Sequence, residues 1–150
     1  YFFTKKGMVK KTALSEYGAE YLVQQGYKFK YENDEIIAVG MADDVLSDVI
    51  IVTKGGMAIK FSSENVNPMG RIASGVTGIS LKDGDEAIAA KVKENYEDLG
   101  IINDDTITLI SKNKEKKDIK AMDIKLQNRA GRGTVVMVTD LDDEVVEANF

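Results

Sequence analysis

No cysteine and no histidine occur among the 150 residues. That double absence excludes disulfides, thiol nucleophiles, the usual zinc sites and imidazole acid–base chemistry together. No apolar run approaches the ~20 residues that a membrane-crossing helix needs. A signal-peptide layout is missing too, because Tyr1-Phe2-Phe3 is short and runs straight into Thr4-Lys5-Lys6-Gly7. The chain opens inside a strand-like run without an initiator Met, which reads as a piece of something longer. A cytosolic origin is the default, although missing cysteines do not fix the compartment.

What is present suffices for one ordinary domain. Apolar residues make up 43% and charged residues 30%, enough for a packed core under a polar surface. The net charge is −5, and acidity of this size argues against a nucleic-acid binder when only the sum is considered. The distribution says more. Residues 1–60 are neutral, whereas 61–150 are acidic overall but concentrate their cations between Lys112 and Arg132.

The chain repeats itself. Asp34-Glu35-Ile36-Ile37, Asp85-Glu86-Ala87-Ile88 and Asp143-Glu144-Val145-Val146 are one step written three times: two acids, then two apolar residues. Thr4-Lys5-Lys6-Gly7-Met8 returns as Thr53-Lys54-Gly55-Gly56-Met57, and Arg71 and Gly75 return as Arg129 and Gly133. A period near 50 marks an array in which no unit buries its apolar face alone. The copies are expected to span about 1–48, 49–98 and 99–150.

Strand signals dominate. Val49–Thr53 and Met57–Phe61 flank Lys54-Gly55-Gly56 as a hairpin, and Tyr1–Thr4 with Met8–Lys10 is the same hairpin shortened. Thr106–Ile110 alternates clearly and leads into a polar turn, Ser111–Lys117. Strands are also expected at Val76–Leu81, Ala87–Ala90 and Thr134–Val138. Ser15-Glu16-Tyr17 and Ser63-Glu64-Asn65-Val66 read as Ser-capped single turns, and Lys91–Leu99 as room for one short helix. Eleven to thirteen short strands in three groups predict an all-β, propeller-like array with four strands per blade.

Three features carry candidate chemistry. The acidic turns resemble calcium loops only superficially, because they sit at hairpin tips without the ligand set or following helix of an EF-hand; they read as solvated turns. Met69–Val76 and Gln127–Thr134 are Gly-spaced loops bearing Arg71, Arg129 and Arg132. Neither holds Gly-Lys-Ser/Thr, so neither is a nucleotide-phosphate loop. Such loops suit a duplex backbone, since glycine lets amides approach phosphate and Arg forks onto its oxygens. They equally suit a tight crossover that needs glycine for its φ angles. Lastly, Lys5, Lys6, Lys10, Lys11, Lys54 and Lys60 recur in or beside the repeated hairpin. Lys112, Lys114, Lys116 and Lys117 occupy the third hairpin turn, with Lys120 and Lys125 after it. Charge runs are usually solvated faces, but turns recurring in register would form a basic rim that grips bent duplex through phosphates.

Several segments resemble the C-terminal domain of the bacterial DNA gyrase A protein and that of its relative in topoisomerase IV. They are Phe3–Tyr17, Ile59–Phe61 with Val66–Arg71, and Gly75–Leu81 with Gly84-Asp85-Glu86. The resemblance implies a β-pinwheel: a six-bladed, propeller-like disc whose basic rim wraps duplex DNA in support of supercoiling, of which this chain holds about three blades. That family carries a box, Gln-Arg-Arg-Gly-Gly-Lys-Gly. Gln127-Asn128-Arg129-Ala130-Gly131-Arg132-Gly133 is similar to it at Gln127, Arg129, Gly131 and Gly133, with Arg132 for Lys; Asn128 and Ala130 depart, and the loop follows two blades rather than opening the first.

The resemblance further implies a bacterial, nucleoid-associated protein. The chain would join the rest of the topoisomerase A protein and, through it, an ATPase partner. ATP and Mg belong to that parent complex and none to this piece. The family's tyrosine nucleophile lies in a region absent here, so no tyrosine of this chain is assigned catalysis. The alternative reading is a bladed protein-interaction module that dimerises through open blade edges.

Overall fold

The run Ser47-Asp48-Val49-Ile50-Ile51-Val52-Thr53 is buried along its whole length. Strand side chains alternate between two faces, so a run without polar alternation needs cover on both. Val49 and Ile51 enter one core with Phe3, Val9, Phe61 and Ile79. Ile50 and Val52 enter a second core with Ile107, Leu109, Ile124 and Val145. This strand is therefore the middle layer of the molecule, and the period of 2 divides its side chains between two interiors.

The computed structural model describes residues 1–18, 20–43 and 45–150. Among them it contains eleven strands and no α-helix. They are β1 (Phe2–Thr4), β2 (Met8–Lys10), β3 (Ile36–Val39), β4 (Ser47–Thr53), β5 (Met57–Ser62), β6 (Val76–Thr77), β7 (Ala87–Glu94), β8 (Thr106–Ser111), β9 (Lys116–Lys120), β10 (Thr134–Val135) and β11 (Val145–Asn149). Three antiparallel sheets result, ordered β3-β1-β2-β6, β10-β5-β4-β7 and β11-β8-β9. The all-β, propeller-like reading holds.

Sheet membership crosses the copies. The fourth strand of the first sheet is β6, with Val9 opposite Val76. That of the second is β10, with Ala58 opposite Thr134. Each is lent by the following copy. The third sheet has three strands, and β9 is the edge at the place where β6 and β10 join the other two.

Both lent strands are shorter than the sequence suggested: two residues each, not Val76–Leu81 and Thr134–Val138. The reason is the same in each. The amides of Gly78 and Ile79 turn together onto the Gly7 carbonyl at 2.7 and 3.2 Å, and those of Val136 and Met137 onto the Gly56 carbonyl at 2.8 and 3.2 Å. This shared acceptor bends the chain out of the ladder.

The expected helix within Lys91–Leu99 is instead the far half of β7, where Glu94 lies opposite Ser47, followed by a 3-10 turn at Glu97–Leu99. Pairing with the buried β4 outweighs the weak helical preference. The Ser-capped turns are 3-10 turns at Leu14–Glu16 and Ser63–Asn65. The first has no side-chain cap, and the second is capped by Ser62, whose hydroxyl accepts from the Glu64 amide. The third hairpin turn is shorter than Ser111–Lys117, since Lys116 and Lys117 already belong to β9.

Candidate nucleic-acid interface

Each hairpin turn is built from the same parts. The hydroxyls of Thr4, Thr53 and Ser111 accept from the amides of Met8, Met57 and Glu115, all at 3.2 Å. Gly7, Gly56 and Lys114 supply the left-handed residue. The acidic step then latches on. Asp34 Oδ1 accepts from the Lys6 amide at 2.9 Å, Asp85 Oδ1 from Gly55 at 2.8 Å, and Asp143 Oδ1 from Asn113 at 3.0 Å. The amides of Lys5, Lys54 and Lys112 donate to the carbonyls of Glu35, Glu86 and Glu144. The acids are thus structural parts of the hairpin tips, more than the solvated turns expected. Ser111 bonding and the surrounding amides hold the Asp143 carboxyl below its ordinary aspartate value.

This latch decides the charge at the tips. Lys5 lies 3.8 Å from Glu35 and 3.9 Å from Glu86, and Lys54 lies 3.7 Å from the same Glu86. Pairs this exposed contribute about 0–1 kcal/mol each to stability, but they offset the positive field that a phosphate would meet. Lys6 is exposed, with its ammonium 2.6 Å from the Glu32 carbonyl and 5.8 Å from the centre of the Tyr31 ring.

Three of the predicted rim lysines turn inward. Lys10 is fully buried; it donates to the carbonyls of Gly26 and Arg71, both at 2.6 Å, and lies over the rings of Phe2 and Tyr27. Burial first, and the nearby Arg71 charge second, lower its pKa. Lys60, 9% exposed, donates to the Ala121 carbonyl at 3.0 Å, and the half-buried Lys11 to the Ser63 carbonyl at 3.2 Å. Their spacing matches that of surface lysines, and contacts distant in sequence, from the next copy and for Lys10 also from its own, separate the two cases.

The Arg-Gly loops form the seams between copies. Arg71 Nη1 donates to the Gln25 carbonyl at 2.5 Å. Arg129 donates from Nε to the Asn65 carbonyl at 2.9 Å and from Nη1 to the Thr77 carbonyl at 2.7 Å. Gly75 and Gly133 have φ of +78° and +76°, and a Cβ on either would sit 2.3 or 2.4 Å from the Val9 or Ala58 carbonyl oxygen. Their glycine is needed where a lent strand enters its sheet. The Gln127 amide donates to the Lys60 carbonyl at 2.8 Å.

A set of exposed cations remains. Lys112 and Lys114 in the third hairpin turn, Lys116, Lys117 and Lys120 on β9, and Lys125 and Arg132 beyond it are all exposed. Among the described residues none of them forms an ion pair; Lys120 donates to the Thr106 hydroxyl at 2.9 Å.

A family model described as DNA gyrase C-terminal domain, beta-propeller, matches residues 1–19, 47–92 and 119–149. The chain belongs to this family. It is 33% identical over 135 residues to the DNA gyrase A protein of Staphylococcus epidermidis, covering 88% of this chain and 14% of that one. It is 31% identical over 149 residues to the Staphylococcus aureus gyrase A protein, covering 97% and 16%. The chain therefore spans about one sixth of the curated relatives it matches. Among solved structures, a DNA topoisomerase IV C-terminal domain superposes with a TM-score of 0.85 at 26% identity, over 99% of this chain and 44% of that one. A DNA gyrase A C-terminal domain matches with a TM-score of 0.53 at 19% identity over 98% and 63%, a likeness of fold alone. Within the family match, residues 93–118 are a gap. Lys112, Lys114, Lys116 and Lys117 fall in it.

Proposed function

We propose that the chain binds duplex DNA through phosphate contacts, without reading sequence, as part of the A protein of a bacterial type IIA topoisomerase. The observation that carries this reading is the unpaired cation group on β9 and its flanking loops: Lys112, Lys114, Lys116, Lys117, Lys120, Lys125 and Arg132. Unpaired surface cations release condensed counterions when they neutralise phosphates, and this is the sequence-independent part of DNA affinity. The tip lysines Lys5 and Lys54, offset by acids, contribute less. Gyrase-type wrapping with supercoiling and topoisomerase IV activity are both open to such a protein; its ATPase partner, ATP and Mg would lie outside this chain. Cytoplasmic residence beside the nucleoid follows from this reading.

The test is a binding titration by fluorescence anisotropy on duplexes of unrelated sequence at several salt concentrations. Affinity should fall steeply between about 50 and 200 mM salt and be indifferent to sequence. Replacing Lys116, Lys117 and Arg132 together by Glu should abolish binding. Salt-insensitive binding, or full binding by the triple variant, would remove the phosphate surface. A second reading rests on β9, an unpaired edge of a three-stranded sheet: edge pairing between two molecules would make a homodimer. Light scattering at high concentration separates the two, since a persistent monomer rules the dimer out.

A further inference from the structure

Lys11 and Lys60 occupy the same place in successive copies and make the same set of bonds. Lys11 bridges to Pro68 and its carbonyl accepts from the Met69 amide at 2.8 Å; Lys60 bridges to Leu126 and its carbonyl accepts from the Gln127 amide at 2.8 Å. Their ammonium groups then reach the first carbonyl of the next copy's 3-10 turn, Ser63 at 3.2 Å and Ala121 at 3.0 Å. Each of those carbonyls also accepts the amide that closes its turn, Val66 at 3.1 Å and Ile124 at 3.3 Å. The lysine takes the second lone pair in both.

Packing does not explain the charge. A Met at either position would fill nearly the same volume, whereas taking an ammonium out of water is unfavourable unless it is well bonded. What the ammonium adds is direction: a donor that is satisfied only when the next copy's turn stands at one place relative to the hairpin. In the third copy the register places Asp118 there, exposed and bonded by the Thr108 hydroxyl at 2.7 Å. The two closed junctions carry lysine, and the open edge carries the opposite charge.

We infer that Lys11 and Lys60 are positioning residues: ammonium staples that fix the angle between successive sheets, and through it the path along which the chain bends duplex DNA. The DNA part rests on the proposed phosphate-binding function, and the junction part stands without it. The loop from Gln127 to Gly133 is tied to β5 at both ends, through the Gln127 amide on the main-chain carbonyl of Lys60 and through β10 opposite Met57 and Ala58, while the Lys60 ammonium joins that same strand to the turn at Ala121. Loosening the staple shifts Arg132 relative to Lys116 and Lys117 while leaving each of these side chains in place.

The test uses the whole chain with Lys60→Met, Lys60→Arg and Lys11→Met. Affinity is read on a duplex of about 10 base pairs, one helical turn. Bending is read by end-to-end energy transfer on a duplex of about 40 base pairs, short against the ~150-base-pair persistence length so that curvature is imposed by protein. Amide exchange at Gln127 and Met69 reports the two junctions. Lys60→Met should hold the short duplex within about twofold of wild type, reduce the bend on the long one, and speed Gln127 exchange about tenfold or more. Lys60→Arg, which keeps a donor, should restore both. Unchanged bending and exchange in Lys60→Met overturns the inference, as does an equal loss on both duplexes with exchange unchanged, which would make Lys60 a phosphate contact. If Lys60→Met does not fold, the less buried Lys11→Met is read the same way through Met69. If wild type binds neither duplex, the DNA reading fails by itself; faster exchange in the Met variants then supports the staples, and unchanged exchange overturns them.

Discussion

The Oδ1 of Asp85 stands 2.8 Å from the amide nitrogen of Gly55 and 2.8 Å from that of Glu86, so one carboxylate oxygen joins a hairpin tip to the strand that returns beside it. Asp34 and Asp143 repeat the arrangement. The acidic step therefore closes each sheet at its tip. It also brings Glu86 between Lys5 and Lys54, and so shapes the field there.

Asp85→Ala should lose about 1–2 kcal/mol of stability, because two amides lose a charged acceptor. Asp85→Asn, which keeps an acceptor oxygen, should recover part of it. The exposed neighbour Asp83 is the control, and Asp83→Ala should be neutral within about 0.5 kcal/mol. Urea unfolding measures all three; equal losses at 83 and 85 would mean the latch contributes nothing.

Asp143 gives the acid limb. Its carboxyl is held below the ordinary aspartate value by the Ser111 bond and then by the amides around it. A depressed carboxylate stabilises the fold above its unfolded pKa, and that stabilisation is lost as pH falls through the folded value. Wild type should therefore lose stability on acidification below about pH 4, and Asp143→Asn should show a shallower decline. Parallel thermal denaturation curves across that range would contradict this.

Gly133→Ala should destabilise strongly, by about 2–4 kcal/mol, because the added Cβ meets the Ala58 carbonyl and the residue has positive φ. Gly70, around which a Cβ meets nothing within 4 Å, should accept alanine with little change. Chemical denaturation of the two variants side by side checks the contrast.

Tyr27 gives the alkaline limb. Burial, then the charge of Asp34, raises its phenol to about 12, and its hydroxyl donates to the Ser74 carbonyl. Between pH 10 and 12 the unfolded chain ionises this group while the folded chain keeps the proton, so stability falls across that window as pH rises. Tyr27→Phe should be less stable by about 1 kcal/mol at neutral pH for the lost hydrogen bond, yet flatter above pH 10. The buried Lys10, with its pKa lowered, contributes the opposite slope, so the variant is read against wild type rather than alone.

Among the cations, Lys116→Gln should lower the salt slope of DNA binding by about one counterion. Lys54→Gln should lower it by less, since Glu86 already sits 3.7 Å from that ammonium. Equal slopes for the two variants would contradict the division between open and offset lysines.

Sequence repetition was enough to read the hairpins, because their turn chemistry is local. Thr4 with Gly7, and Thr53 with Gly56, announce themselves within five residues. The lent strands were legible as strands but not in length or ownership, because a carbonyl from another copy ends them. The site was legible as an inventory of cations and not as a surface. Nothing in the residues around Lys10 or Lys60 distinguishes them from Lys116, and the difference is made by Gly26, Arg71 and Ala121, far along the chain. The latch could have been found: Asp before Glu recurs 28, 30 and 30 residues after the hairpin amide that it binds, a near-regular spacing that solvated turns do not require.

The strand exchange between copies also imposes an order on synthesis. β1, β2 and β3 are complete once Val39 has left the ribosome, yet their sheet stays open until Val76 and Thr77 follow. The second sheet likewise waits for Thr134 and Val135. Each copy thus emerges with a bare edge that only its successor covers, and at that stage the nascent chain is open to pairing with the wrong neighbour.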